Sequence, residues 1–287
     1  MAETLRELVE MELAEPVDER VTAMAQAIAA RHHGASRAVL FYGSCLRERQ
    51  LDGLMLDFYL IVSDYASAYS RSWLAKANAL IPPNVFPFQH DGLTSKYAVL
   101  SERDFHRLNG PETRNVSVWA RFAQPSRLVW SSDEVVRDRM IDAVARAAPT
   151  LLAAARRREG EAPLDWWRRA FALTYSAELR AERKGRAQSV VDTDRPRYER
   201  FSSPVIAAIP AAIASGSWAR RRIEGKLLSV LRLAKASATY AGGAEYIAWK
   251  INRHAGTKIE LKPWQKRHPL LAAISLLPRL LRSGAIR

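Results

Sequence analysis

The chain has 287 residues, of which 48% are hydrophobic and 26% charged, a globular composition that excludes an intrinsically disordered protein. Its single cysteine, Cys45, excludes a disulfide framework and favours a reducing compartment. Residues 220–287 hold fifteen Lys and Arg against three Glu, so twelve of the fourteen net positive charges lie there and should attract polyanions, either nucleic acid or an anionic membrane.

The N-terminal sequence predicts helices. Apolar residues from Leu5 to Ile28 recur at helical spacing and are interrupted at Pro16. The first residues are acidic and lack the basic and apolar regions of a signal peptide, so we expect none. Because no run of about 18 uncharged apolar residues occurs, we also expect no membrane-spanning helix.

Two apolar runs, residues 38–41 and 56–62, predict strands on either side of a Gly43-Ser44 turn, with Asp57 at the head of the second strand. A Gly-Ser turn lets backbone N–H groups approach phosphates, and a carboxylate on the next strand can hold the metal ion that bridges those phosphates. The same pattern also fits a tight turn between two core strands with a solvated Asp, and short motifs give many false positives.

The remaining pattern completes an α+β fold. Residues 93–100 and 126–130 predict further strands, and Ser101 and Asp133 are suited to cap the helices that follow. After residue 134 the chain is mostly helical, with a loop and a short helix predicted over residues 202–210. We predict a mixed sheet with helices over residues 1–135, a mainly helical domain over 136–256 and a basic amphipathic tail over 257–287.

Two C-terminal segments have an apolar stripe edged by basic residues. For residues 220–237 we expect a core helix that docks through its apolar face, which consists of Ile223, Leu227, Val230, Leu231 and Ala234. For residues 268–287 we expect a segment that lies in a membrane interface, since a basic amphipathic helix rich in leucine has this property.

Ordered segments of the sequence resemble the mitochondrial-type phosphatidate cytidylyltransferases, the peripheral CDP-diacylglycerol synthases of the translocator assembly and maintenance family, within the nucleotidyltransferase superfamily. The resemblance runs from about residue 38 to 253. The segments that carry it are Tyr42-Gly43-Ser44, Leu56-Asp57-Phe58, Asn84-Val85-Phe86-Pro87-Phe88, Ser95-Lys96-Tyr97-Ala98-Val99, residues 119–125, residues 174–180 and residues 235–250.

The resemblance implies transfer of CMP from CTP to phosphatidic acid, giving CDP-diacylglycerol and pyrophosphate, with Mg²⁺ as cofactor. It implies catalytic roles for Ser44, Asp57 and Lys96. The implied nucleotide-binding residues are Tyr42, Gly43, Ser44, Lys96 and Arg121, and the implied metal ligands are Asp57 with Asp52 and Glu178 as further candidates. The implied partners are CTP, phosphatidic acid and an anionic membrane surface that the tail contacts, and nucleic acid is a less favoured partner. We expect the protein on the inner face of a bacterial cell membrane, or on the matrix side in a mitochondrion.

Departures from the family pattern leave two alternatives open. Tyr59 stands two residues after Asp57, where the usual nucleotidyltransferase pattern has a second carboxylate. Cys45 replaces the usual Gly, and Glu178 replaces the usual Asp. The chain could therefore be a nucleotidyltransferase that acts on RNA, a protein or a small molecule. It could also be an inactive nucleotidyltransferase-like protein that binds lipid or nucleic acid.

Overall fold

A computed structural model describes residues 3–48, 51–178, 186–214 and 216–239, which form an α+β fold around a mixed sheet of strand order β3-β4-β2-β1-β5. β2 and β4 run parallel, and the other neighbours are antiparallel. The strands are β1 (Ser36–Tyr42), β2 (Met55–Val62), β3 (Asn84–His90), β4 (Leu93–Ser101) and β5 (Ser126–Ser131).

Helices precede, connect and follow the strands. They are α1 (Leu5–Ala14), α2 (Glu19–Ala30), α3 (Ser44–Glu48), α4 (Tyr65–Ala68), α5 (Ser72–Leu80), α6 (Glu102–Asn109), α7 (Trp119–Phe122), α8 (Glu134–Ala145), α9 (Ala147–Ala155), α10 (Pro163–Ala177), α11 (Arg186–Thr193), α12 (Arg195–Ala207) and α13 (Trp218–Thr239). In the part of the chain that the structure describes, no helix is both long and apolar enough to cross a bilayer.

Helix boundaries follow the local signals in the sequence. The Ser101 side chain accepts a hydrogen bond from the Asp104 N–H, and Asp133 accepts one from the Val136 N–H, so both predicted N-caps are confirmed. Residues 202–210 were predicted as a loop with a short helix; the helical part is instead the end of α12, which continues through Pro204 to Ala207, and the loop begins only after it. Packing of Tyr198, Phe201 and Val205 into the core outweighs the single hydrogen bond that a proline removes.

The sheet is covered on both faces. Side chains alternate along each strand, so Phe41 and Phe58 pack with α2 on one face, whereas Leu40 and Tyr59 point to the other. The second face continues into one buried cluster that includes α1 and reaches Trp167 in α10. The predicted sheet and helical units therefore share a core, and the predicted domain boundaries stay a prediction.

Helix α13 docks with the opposite face from the one its sequence predicts. Ile223, Leu227 and Leu231 of the apolar stripe are 71, 58 and 39% exposed, whereas Arg221 is buried and donates to the carbonyls of Arg114 and Ala214. Gly225 permits the inward orientation, because a Cβ there would lie 2.2 Å from the Ala177 carbonyl oxygen at the end of α10. The close approach of two helix backbones therefore decided the orientation, and the expected apolar docking face is wrong. The predicted amphipathic tail at residues 257–287 lies outside the described residues.

Candidate functional site

The turn after β1 places Gly43 directly against Asp57. Tyr42, the last residue of β1, pairs with Asp57 of β2, and the chain then turns through Gly43 at a φ of +96° into α3, which begins at Ser44. A Cβ at position 43 would lie only 2.9 Å from the Asp57 Oδ2. The two sequence features that predicted a phosphate and metal site are therefore neighbours in space.

We expect Gly43→Ala to destabilise the fold by about 1–3 kcal/mol and to displace the Asp57 carboxylate, since the new Cβ meets both a strained backbone and a side chain. Gly53→Ala is the matched control. Gly53 also has a positive φ, +72°, but nothing lies within 4 Å of its added Cβ, so it should cost only about 1–2 kcal/mol. Denaturant unfolding is measured for both. A loss of stability in Gly43→Ala no larger than that in Gly53→Ala would contradict a special role for the Gly43–Asp57 contact.

Parallel pairing of β2 with β4 aligns Asp57 with Lys96. The Lys96 Nζ lies 2.8 Å from the Asp57 Oδ1, and the side chains are 26 and 19% exposed. The contact is a close ion pair, and no hydrogen bond to the buried Oδ1 is found among the described residues. A carboxylate in that state is suited to receive a further cation or donor.

The face of the sheet beside this pair forms the floor of a cavity of about 150 Å³. Tyr59, Val85 and Ala98 supply apolar surface. The charged and polar residues that line it are Tyr42, Lys96, Ser117, Arg121, Arg232 and Lys235. Gly43, Ser44 and Asp57 adjoin the cavity through Tyr42 and Lys96. Six of the eight predicted site residues thus lie in or beside this cavity, since Tyr42, Lys96 and Arg121 line it and Gly43, Ser44 and Asp57 adjoin it.

Arg121 is held in place by a buried polar network. Its Nη1 lies 3.5 Å from the Glu178 Oε1 and donates to the Ser117 carbonyl oxygen, while the Ser117 hydroxyl donates to Glu178. Glu178 is 6% exposed and Ser117 is 3% exposed. Glu178, a predicted metal ligand, is therefore directed at the Arg121 guanidinium and the Ser117 hydroxyl.

Two cations that the sequence reasoning did not select reach the cavity from α13. Arg232 Nε donates to the Pro82 carbonyl oxygen at 2.8 Å, and its Nη1 donates to the Ser117 Oγ at 2.5 Å. Lys235 Nζ donates to the Pro83 carbonyl oxygen at 2.9 Å and to that of Ile81. The only sign of these two residues in the sequence is their spacing of three on an amphipathic helix. The same spacing is typical of a solvated basic face, so it did not identify a site.

The tyrosines of the cavity wall are neutral. Burial raises the pKa of Tyr42 well above its ordinary value, and the Asp57 carboxylate adds to this effect. Burial also raises the pKa of Tyr59. Both phenols therefore stay protonated near neutral pH, so they serve as apolar walls with hydroxyl tips and have no role as bases.

The three predicted metal ligands do not converge. Asp52 forms a salt bridge with Arg20 at 2.9 Å with its side chain 79% exposed, and Glu178 contacts Ser117 and Arg121. Within the described ranges, no group of three His, Cys, Asp or Glu residues could hold a metal ion. Asp57 alone fits a metal-binding role, because Mg²⁺ in nucleotide sites commonly uses one or two carboxylates and takes its other ligands from phosphates and water.

Comparisons with known proteins give little beyond this geometry. No protein-family model matches the chain, and no curated protein matches it. Among solved structures, the chain is similar to a nucleotidyltransferase-like protein from Exiguobacterium sibiricum 255-15, with 10% sequence identity, 92% of each chain covered and a TM-score of 0.27.

Proposed function

We propose that the protein transfers a nucleotidyl group, CMP from CTP, to the phosphate of phosphatidic acid. The observation that carries the proposal is the contact of Gly43 with Asp57, which is itself paired with Lys96 at the edge of a cation-lined cavity. A turn for phosphates, a carboxylate for a cation and a lysine for negative charge are what such a transfer requires. The sequence resemblance supports CTP and phosphatidic acid as the substrates.

In the proposed reaction an oxygen of the acceptor phosphate attacks the α-phosphorus of CTP. A new P–O bond forms, the bond from the α-phosphorus to the bridging oxygen breaks, and pyrophosphate leaves with that electron pair. A phosphomonoester is largely dianionic at neutral pH, so the residues need not supply a base. Lys96 and Arg121 would instead hold the charged groups in line and stabilise the negative charge that develops.

Asp57 is the residue that would hold Mg²⁺ together with the nucleotide, and the ion would neutralise phosphate charge. Lys96 would then turn from Asp57 to a phosphate oxygen, since an ammonium with three donors can exchange one anionic partner for another. Gly43 and Ser44 would bind phosphate oxygens through backbone N–H groups and the Ser44 hydroxyl.

An anionic lipid surface is the proposed setting for the reaction, because phosphatidic acid is a membrane lipid. The exposed row formed by Ile223, Leu227 and Leu231 lies on the side of α13 opposite Arg232, which lines the cavity. The exposed Arg222 and Lys226 are on the same helix. Apolar insertion combined with basic side chains is suited to reversible binding to anionic lipid.

We expect the triple variant I223Q/L227Q/L231Q to bind anionic vesicles at least about tenfold more weakly, since burying one such side chain contributes about 1.5–3 kcal/mol. Flotation with phosphatidylglycerol vesicles measures this, and V135Q, which changes another exposed apolar residue, is the control. Equal flotation of the triple variant and the wild-type protein would refute a contribution of this face.

Calorimetric titration with CTP and Mg²⁺ separates the proposed enzyme from an inactive scaffold. An enzyme of this kind binds the triphosphate, and D57N weakens that binding. The acceptor is tested by incubating the protein with α-labelled CTP and either phosphatidic acid vesicles or RNA. Label that appears only in RNA would replace the lipid acceptor by a nucleic acid.

A further inference from the structure

The cavity holds more positive than negative charge. Its cationic residues are Lys96, Arg121, Arg232 and Lys235. Only two carboxylates face these four groups: Asp57 pairs with Lys96, and Glu178 pairs with Arg121 and also attracts Arg232. In the described part of the chain, neither Arg232 nor Lys235 forms a salt bridge. A surplus of cationic groups in a partly buried cavity is costly unless an anion accompanies them or one of them gives up its proton.

Arg232 is fixed but incompletely satisfied. The Nε and Nη1 groups donate to the Pro82 carbonyl and the Ser117 hydroxyl, which hold the guanidinium plane. The Nη2 group is buried and has no hydrogen-bond partner among the described residues. An unmet donor on a positioned guanidinium favours a ligand that accepts two parallel hydrogen bonds, as phosphate oxygens do.

Lys235 lies one helical turn further along the same face of α13. Its described acceptors are the carbonyl oxygens of Ile81 and Pro83, which are neutral. A neutral carbonyl does not cancel the charge of an ammonium, whereas a phosphate oxygen beside it would. Lys235 and Arg232 therefore present donors to the same small volume.

This pair lies away from the Gly43 turn. Gly43 follows β1, whereas Pro83, which contacts Lys235, precedes β3. The strand order β3-β4-β2-β1 separates these strands by three intervals, or about 14 Å at ordinary strand spacing. The carbonyl group that positions Lys235 therefore lies three strand intervals from the Gly43 turn, so the surplus cations at that end of the cavity suit a second anionic group.

We propose that Arg232 and Lys235 form a separate subsite for a phosphomonoester dianion, the phosphate of the acceptor molecule. The identification of this group as the acceptor phosphate rests on the proposed function, because the group bound here would face the nucleotide across Lys96. Binding of the phosphomonoester itself depends only on the two cations and their surroundings.

Calorimetric titration with glycerol 3-phosphate, and separately with inorganic phosphate, tests the subsite without any nucleotide. The inner variant R232Q/K235Q should bind glycerol 3-phosphate at least about tenfold more weakly than the wild-type protein, since each hydrogen bond to a charged group is worth about a factor of ten or more. The outer variant K76Q/R103Q removes the same net charge from exposed positions that do not line the cavity and should bind normally. Equal weakening by both variants would show a general charge effect and overturn the subsite.

Proton uptake provides a second readout. Burial, with Arg232 nearby, lowers the pKa of Lys235 to about 7, so at pH 8 much of this lysine is neutral before an anion binds. Phosphate binding at pH 8 should therefore draw a proton onto Lys235, which appears as a buffer-dependent heat, and K235R should abolish it. The other ionisable groups in or beside this cavity are Tyr42, Asp57, Tyr59, Lys96, Arg121, Glu178 and Arg232, and all of them are retained in K235R. Proton uptake that persists in K235R would show that another group takes up the proton, and would contradict this role of Lys235.

The wild-type protein gives a test that does not depend on the folding of a variant. Glycerol 3-phosphate should slow acetylation of Lys235 by an amine-reactive ester, as read by mass spectrometry, and should leave the exposed Lys226 unchanged. An unchanged rate of Lys235 acetylation at saturating glycerol 3-phosphate would overturn the proposal. If the wild-type protein binds phosphomonoesters through this pair and yet transfers no CMP, the subsite stands and the proposed function fails. If the inner variant loses CTP binding and keeps glycerol 3-phosphate binding, the pair serves the nucleotide and the proposal is wrong.

Discussion

Replacing Asp57 with Asn is expected to lower CMP transfer by about 10²–10³, the usual cost of removing one preorganised electrostatic group from a catalytic site. The Asn side chain keeps the shape of the carboxylate, so its contact with Gly43 is retained. It removes the charge that holds Lys96 at 2.8 Å and that would hold a cation on the triphosphate. Initial rates with saturating CTP and phosphatidic acid vesicles measure the effect.

The matched control is D138N. Asp138 forms an exposed salt bridge with Arg6 at 3.0 Å and does not line the cavity. Exposed pairs contribute about 0–1 kcal/mol, so D138N should keep both the fold and the transfer rate. D57N with transfer comparable to D138N would remove Asp57 from the chemistry, whatever else the cavity binds.

The second large effect concerns stability, because one ion pair joins the N-terminal helix to the helical layer. Arg197 of α12 contacts Glu12 of α1 through two hydrogen bonds, with side chains only 9 and 8% exposed. The guanidinium also lies 4.4 Å from the centre of the Phe201 ring. Arg197→Met should reduce the free energy of unfolding by about 3–5 kcal/mol, since it leaves a buried carboxylate without its partner. Urea unfolding measures this.

The double variant E12L/R197M shows whether the loss comes from the unpaired charge. Replacing both partners with apolar residues of similar size is often neutral or stabilising, so the double variant should recover most of the loss. A double variant as unstable as R197M would instead assign the loss to packing of the arginine stem against Phe201.

Local features of the sequence predicted the centre of the fold. Two apolar runs predicted the strands around Gly43-Ser44, and Ser101 and Asp133 marked helix starts because capping depends on neighbours along the chain. The proximity of Gly43 and Asp57 follows from the antiparallel pairing of two strands that are adjacent in the sequence. The alignment of Lys96 with Asp57 depends on parallel pairing between distant segments, and only the resemblance pointed to it.

Helix α13 shows where prediction from one sequence stops. Its apolar stripe predicted a docking face, because burial of Ile223 and Leu227 would ordinarily decide the orientation. The helix instead packs through Gly225 against the backbone of α10 and turns Arg232 to the cavity. That choice depends on a three-dimensional neighbour at Ala177, which no periodicity within the helix could indicate.

Transfer of label from CTP to lipid tests the proposed CMP transfer directly. The wild-type protein is incubated with Mg²⁺, phosphatidic acid vesicles and CTP that is labelled either at the α-phosphorus or at the γ-phosphorus. The proposed reaction predicts that α-label enters the lipid fraction as CDP-diacylglycerol, that γ-label is released in an equal amount as pyrophosphate, and that D57N does both about 10²–10³ more slowly. Alpha-label that stays wholly in the aqueous fraction while CTP binds to the cavity would contradict the account.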